Sequence, residues 1–213
     1  MSVSTLSPAL TRAVQDRTSG ATGVARQVLD GLLELVEDRA LLHEMADVLP
    51  GMLPGYASMW HIARAARAAD PVGSLRAVRA ELDEDVARSV AVATAFIGEQ
   101  GGAVRTAPSS ALVKAVVAGL GAAATVGPVH HGLAGADAIS PTRVLNIKGT
   151  LDLARTLPTV VVTTSLKLVP ESVFERLGSP LFERIPLELF RVVVLDGEII
   201  TPADAGRRAE TLM

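Results

Sequence analysis

Apolar positions along the chain follow two different periods. In the first hundred residues they recur at three- and four-residue steps: Val24, Val28, Leu32, Leu35 and Val36 share one face of a segment that Ser19 and Gly20 are suited to open. The stretch LPGMLPGY, residues 49–56, breaks this pattern, and a short helix is predicted around residues 59–66. Asp70-Pro71 then opens a long helix with Leu75, Val78, Leu82, Val86, Val90, Ala93 and Ile97 on one stripe, closed by Gly101-Gly102.

Beyond Gly102 the pattern changes to short β-branched runs separated by helical ones. Residues 103–106 read as a strand, and 110–120 as a helix with Leu112, Val113, Val116 and Val117 inward. Residues 133–139 read as a second strand, and 159–164 as the clearest one, β-branched throughout. A first helical turn at Pro170-Glu171, a last buried strand at 191–194, an Asp196-Gly197 turn and a short run at 198–200 complete the chain. Alternating strand and helix predict an α/β fold with a parallel sheet. The expected organisation is an N-terminal helical subdomain over residues 1–101 and a parallel α/β domain over 102–213, which the resemblance given below makes a reduced Rossmann-like one.

Composition narrows the chemistry. Hydrophobic residues are 49% of the chain and aromatics only 3%, so the core is expected to be Ala, Val and Leu, with few stacking platforms for bases or sugars. The net charge of −3, from 20 basic and 23 acidic side chains, supplies no basic field for nucleic acid but is compatible with a single phosphate group. Without cysteine the chain has no disulfide framework, no thiolate nucleophile and no cysteine-based metal site. His130-His131 point to opposite faces of an extended segment and only His43 and His61 remain, so no metal is expected. No apolar stretch approaches the roughly 20 residues of a membrane helix, and the N-terminus lacks a charged start followed by an apolar run; a soluble, cytoplasmic protein is expected. Residues 119–124 match a G-x-G-x-x-A fingerprint formally, but they end a helix instead of joining a strand to one, so they read as a helix end and no cofactor is expected.

In parallel α/β sheets ligands lie outside the carboxyl ends of the strands, where the next helix begins with unpaired N–H groups. Three such junctions carry polar residues. Ser109 and Ser110 either hold an anion or cap a helix. In GADAISPTRVLNIKGT, residues 135–150, an acidic residue ends an apolar run, a Ser-Pro turn follows, and Asn and Lys lead into a predicted helix. There Asp137 is a general acid or base, a partner for a sugar hydroxyl, or a carboxylate in a structural ion pair, Asn146 is a helix cap, and Lys148 reaches an anion. Lys167, after Thr163-Thr164-Ser165, either points into the same crevice or is solvated.

Taken in order, these pieces resemble the regulatory alpha, beta and delta subunits of eukaryotic initiation factor 2B, with their relatives methylthioribose-1-phosphate isomerase and ribose-1,5-bisphosphate isomerase. Gly135-Ala136-Asp137-Ala138-Ile139 and Asn146-Ile147-Lys148-Gly149-Thr150 carry the most specific match, to a G-A-D-A-I and N-K-I-G-T pair. Ser19-Gly20-Ala21 resembles the N-terminal phosphate-side turn, Val104-Arg105-Thr106 with Ser109-Ser110 a T-H-x-x-S strand end, and Pro186-Leu187-Glu188-Leu189-Phe190 a P-x-E-L-F run. The resemblance implies a helical domain on a Rossmann-like one, a homodimer, and a phosphorylated sugar or nucleotide bound between the two. It places Asp137 as the catalytic carboxylate of the isomerases and Gly20, Ala21, Thr106, Ser109, Ser110, Asn146 and Lys148 around the ligand, and Lys167 joins them from its own strand-to-helix junction.

The chain also departs from that pattern. Ala107 and Pro108 stand where the isomerases have His and Cys, Lys148 is one residue out of register, and only 14 residues separate Leu120 from Gly135. A relative that binds its ligand in a regulatory or other non-isomerase role is therefore expected. An aldose–ketose isomerase relying on Asp137, and an assembly or protein-interaction module, are the alternatives.

Overall fold

The computed structural model describes residues 6–16, 18–107 and 110–212. Five helices come first: α1 (Pro8–Gln15), α2 (Gly20–Leu33), α3 (Arg39–Met52), α4 (Ser58–Ala66) and α5 (Pro71–Gln100). Their starts are dictated locally. Pro8 and Pro71 occupy first-turn positions, where a missing N–H breaks no helical bond. Side-chain oxygens of Ser7, Asp38 and Asp70 accept the N–H groups of Leu10, Leu41 and Gly73. Gly101, at φ 69°, ends α5 in a conformation other residues rarely adopt.

Two of these helices, α1 and α3, lie outside the stretches the periodicity singled out, yet Leu10 and Ala13 from one and Leu42, Met45 and Leu49 from the other are buried in the helical core. Conversely, α2 stops at Leu33, so Leu35 reaches that core from a turn rather than from the helix. The predicted stripe of α5 holds along its length but serves two cores. Leu75 and Leu82 pack with the other helices, whereas Ala93 and Ile97 pack on the sheet.

The rest of the chain runs β1 (Ala103–Thr106), α6 (Ala111–Leu120), β2 (Val129–Ala134), β3 (Ala138–Ile139), β4 (Arg143–Ile147), α7 (Thr150–Thr156), β5 (Thr159–Thr163), α8 (Glu171–Phe174), β6 (Phe182–Pro186), β7 (Val192–Leu195), β8 (Glu198–Ile200) and α9 (Pro202–Glu210). The main sheet has the order β1-β2-β5-β7-β8, parallel except for the β8 edge. The fold is α/β with a Rossmann-like sheet. Both faces are covered: Val160 and Val162 of β5 meet α5 and α6, while Val161 between them meets residues of α7 and α9.

A second sheet departs from the sequence prediction. The strand expected over 133–139 is two strands, because β2 ends at Ala134 and Ala138-Ile139 pairs antiparallel with β4, which pairs in turn with β6. The predicted helix start at Asn146 is likewise strand. Residues 143–147 each face a partner in 182–186, and this pairing buries Val144, Leu145 and Ile185, so tertiary contacts override the local helix signal. Helix α7 begins only at Thr150, after Gly149 at φ 99°.

Next to this small sheet α9 approaches the Ser140-Pro141 turn so closely that a Cβ on Gly206 would lie 2.3 Å from the Pro141 carbonyl oxygen. Backbone cannot yield as a flexible side chain can. Gly206→Ala is expected to lower unfolding free energy by about 1–3 kcal/mol, measured by urea denaturation.

Candidate functional site

A cavity of about 380 Å³ opens where the helices overhang the carboxyl ends of the parallel strands, a size suited to a small metabolite. Ser110 to Leu112 at the start of α6, Ala136 and Asp137 after β2, and Val162 to Thr164 at the end of β5 form the sheet side. Gly20 to Thr22 at the start of α2 and residues 52–56 between α3 and α4 form the helical side, with Ser179, Leu181 and Phe182 also in the wall.

Asp137 is fixed by its own backbone. Its N–H donates to the Leu145 carbonyl at 2.9 Å, and its carbonyl accepts the Ala57 N–H at 3.1 Å, just ahead of α4. The carboxylate lines the cavity and is in no ion pair among the described residues. Burial pushes its pKa up to about 6, against the pull of the Lys167 charge.

Lys167 ends a 3-10 turn, Ser165–Lys167, that follows β5. The Asp196 carboxylate accepts the Ser165 N–H at 2.9 Å, and His61 Nε2 lies 2.7 Å from the Leu168 carbonyl. Burial pushes His61 down to about 4. The ring is therefore neutral at pH 7, and its Nε2–H donates to the Leu168 carbonyl. Lys167 itself is 3% exposed, and its Nζ has no hydrogen-bond partner among the described residues. Burial lowers its pKa to about 8, opposed by the Asp137 charge. Thr164 Oγ1, on the same wall, is also buried without a partner.

The two helix starts at the cavity differ from most of the others. α1, α3, α5 and α9 carry side-chain caps, whereas Ser19 and Ser110, the N-cap residues of α2 and α6, make none. Asp16 fixes the approach to α2 by accepting the N–H groups of Thr18 and Ser19 at 2.7 and 2.9 Å, and hydrogen bonds from Ser19 and Thr18 hold its carboxyl well below the usual range. That arrangement leaves the first turn of α2, Gly20 to Thr22, facing the cavity. Gly135 allows the Ser110 side chain to sit against the bend after β2, since a Cβ there would lie 2.6 Å from Ser110 Cβ.

Gly20, Ala21, Ser110, Asp137, Asn146 and Lys167 thus share one cavity. Thr106 is exposed on β1 and outside its wall. Lys148 is also exposed and outside it, because it lies in the turn before α7; its backbone N–H donates to the Leu181 carbonyl at 3.0 Å and ties down the 179–182 segment. Asn146 is not a helix cap. From β4 its buried side-chain amide donates to the Gly135 carbonyl at 2.8 Å and holds the bend leading into Asp137. Ser109 and Pro108 lie outside the described residues. Two wall segments were not singled out in the sequence, 52–56 and 179–182, where Gly and Pro read as connectors. Their contact is specific: the Phe182 ring packs on Gly55, and Gly178 N–H donates to the Pro54 carbonyl at 2.9 Å.

The raised pKa of Asp137 has a thermodynamic sign. The folded state binds this proton more tightly than the unfolded chain, so stability falls as pH rises from about 4 to about 6, and the cost persists above that. Asp137→Asn removes the cost but also removes the counter-charge of Lys167. The variant is expected to be more stable than the parent by about 1–2 kcal/mol at pH 7 and equal to it at pH 4. Urea denaturation at the two pH values checks this; lower stability of the variant at pH 7 contradicts it.

No protein-family model and no curated protein matches the chain. Solved structures do. The Pyrococcus horikoshii OT3 translation initiation factor eIF-2B superposes with a TM-score of 0.72 at 16% identity, over 92% of this chain and 96% of that one. A chain of the tetrameric eIF2B-beta2-delta2 complex from C. thermophilum gives 0.66 at 14% identity, covering 93% and 91%. The eIF2B delta subunit from Chaetomium thermophilum gives 0.64 at 12% identity, covering 91% and 98%. Among the described residues no helix is long and apolar enough to cross a membrane. At these identities the likeness is one of architecture, and the chain has the fold of the eIF-2B subunits.

Proposed function

We propose that the chain binds a phosphorylated sugar or nucleotide in this cavity, in a regulatory or other non-isomerase role. The observation that carries the reading is the Lys167 ammonium, buried in the cavity wall with no partner of its own. A buried cation without an acceptor is costly, and an anionic ligand offsets that cost. The starts of α2 and α6 add amide donors and the positive ends of two helix dipoles. The phosphate belongs there, with Asp137 and Thr164 toward the hydroxyl-bearing part of the ligand. With no cysteine to share proton transfer, Asp137 serves recognition of the ligand. Self-association as a homodimer belongs to the same proposal; one structural neighbour is described as part of a tetrameric complex.

One observation favours a second reading, an aldose–ketose isomerase: a carboxyl group titrating near 6 is suited to move protons at neutral pH. A pure assembly module is the third reading, and it requires no ligand at all.

Isothermal titration with ribose 5-phosphate, glycerol 3-phosphate, AMP and GMP, with unphosphorylated ribose as control, separates these readings. Binding of at least one phosphorylated compound is expected, weakened about 10- to 100-fold in Lys167→Met, the worth of one hydrogen bond to a charged group. No heat with any compound would remove the small-molecule reading and leave the assembly module. NMR spectra of the same samples bear on the enzyme: ketose forming with the parent but not with Asp137→Asn would favour the isomerase, and no conversion would remove it.

A further inference from the structure

We infer that Lys167 is a nucleophile, placed to form an imine with the carbonyl carbon of a phosphorylated aldose or ketose held in the cavity. This rests on the proposed binding of a phosphorylated ligand and adds a covalent step to it.

The choice of cation is the first ground. The chain has only three lysines, Lys114, Lys148 and Lys167, against seventeen arginines. Every ion pair found among the described residues uses Arg, whether to Asp30, Asp83 or Glu171. The buried cation is a Lys instead, and it is unpaired. A guanidinium remains protonated in any protein environment, whereas an ammonium can give up a proton and expose a lone pair. Where charge alone would serve, this sequence uses Arg almost without exception.

The second ground is the surroundings of Nζ. No hydrogen bond restrains it, so rotation about the terminal bonds of the side chain can bring it to a ligand in the cavity. The Asp137 carboxyl in the same cavity wall acts on it through space without a hydrogen bond. Desolvation favours the neutral amine, and the Asp137 carboxyl stays protonated to higher pH than an exposed one. An amine and a carboxylic acid in one wall are the two groups that imine formation requires. The Lys167 ammonium draws the phosphorylated ligand in, the amides of the two helix starts hold its phosphate, and the fraction of Lys167 that has given up its proton reacts with the open-chain carbonyl.

The step balances without an outside reagent. The Nζ lone pair attacks the carbonyl carbon, and the C=O π pair moves to oxygen, which takes the Asp137 proton to give a carbinolamine. The nitrogen then returns a proton to the Asp137 carboxylate, the carboxyl passes it to the departing hydroxyl, and water leaves as the C=N bond forms. Amine plus carbonyl compound becomes imine plus water, and Asp137 takes up the last N–H proton as the neutral imine is released.

Reductive trapping tests this. The whole chain is incubated with D-glyceraldehyde 3-phosphate or ribose 5-phosphate and sodium cyanoborohydride near neutral pH, and the adduct is mapped by peptide mass spectrometry. Glycerol 3-phosphate, which has the phosphate but no carbonyl, is the competitor, and its own binding is followed by calorimetry. A lysine titrating near 8 carries roughly three-hundredfold more neutral amine than an exposed one at this pH. The expected result is label on Lys167 exceeding that on exposed Lys114 and Lys148 by roughly tenfold or more, suppressed by glycerol 3-phosphate. Asp137→Asn should slow labelling of Lys167 at aldehyde concentrations that saturate the site of the variant, its affinity being measured on the same sample; an unchanged rate at saturation would overturn the part given to Asp137. Label confined to Lys114 and Lys148, or equal on all three, with glycerol 3-phosphate binding intact, would overturn the nucleophile and leave the binding site standing. If glycerol 3-phosphate does not bind and Lys167 is unlabelled, both fail. The mapping uses the parent chain, so it does not depend on a variant that folds.

Discussion

The site depends on one pinned peptide. Asp137 leaves the main sheet at the bend after β2, donates its N–H to Leu145 of the small sheet and receives the Ala57 N–H from the helical layer. Those two bonds join three parts of the fold at one residue. They also fix where the carboxyl group sits, because the backbone on both sides of it cannot swing. Asn146 adds a third restraint by bonding the Gly135 carbonyl. A side chain on so constrained a backbone has its environment imposed on it, and here that environment is a cavity wall that strips water from the carboxylate.

Lys167 is held by the same logic on the neighbouring strand. β5 is buried on both faces, so the turn after it has little freedom, and Asp196 and His61 secure that turn from two further elements. The result is an acid and an amine close enough to perturb each other and not bonded to each other. Burial moves the two pKa values toward one another, the carboxyl up and the ammonium down, which raises the share of the neutral pair. Natural cores seldom keep such a pair for stability, since an apolar substitute commonly does as well. The proposed ligand chemistry offers a reason to keep the pair at a cavity.

The sequence carried some of this directly. The seven-position stripe of α5 and the β-branched run of β5 were legible because a buried face imposes its period on one continuous segment. Asp137 was legible as a candidate because an acidic residue ends an apolar run. Asn146 and Lys148 were misplaced because their segment is drawn into a strand by β6, a partner that comes much later in the chain and leaves no local mark. Sequence alone allows Lys167 either the crevice or solvent, and the packing of the turn around it decides for the cavity. The wall segments at 52–56 and 179–182 carried no signal at all, since Gly and Pro look alike in a connector and in a binding loop. Thr106 shows the reverse error: it stands at the end of a strand, but at the exposed edge of the sheet.

The claim that two helix starts and one unpartnered ammonium form an anion site is tested most directly by a crystal structure of the protein soaked with tungstate or ribose 5-phosphate. The account predicts the oxyanion within about 3 Å of amide nitrogens among Gly20 to Thr22 and Ser110 to Leu112, with Lys167 turned toward it. An anion bound only elsewhere, with Lys167 and Asp137 closed into a direct ion pair, would contradict it.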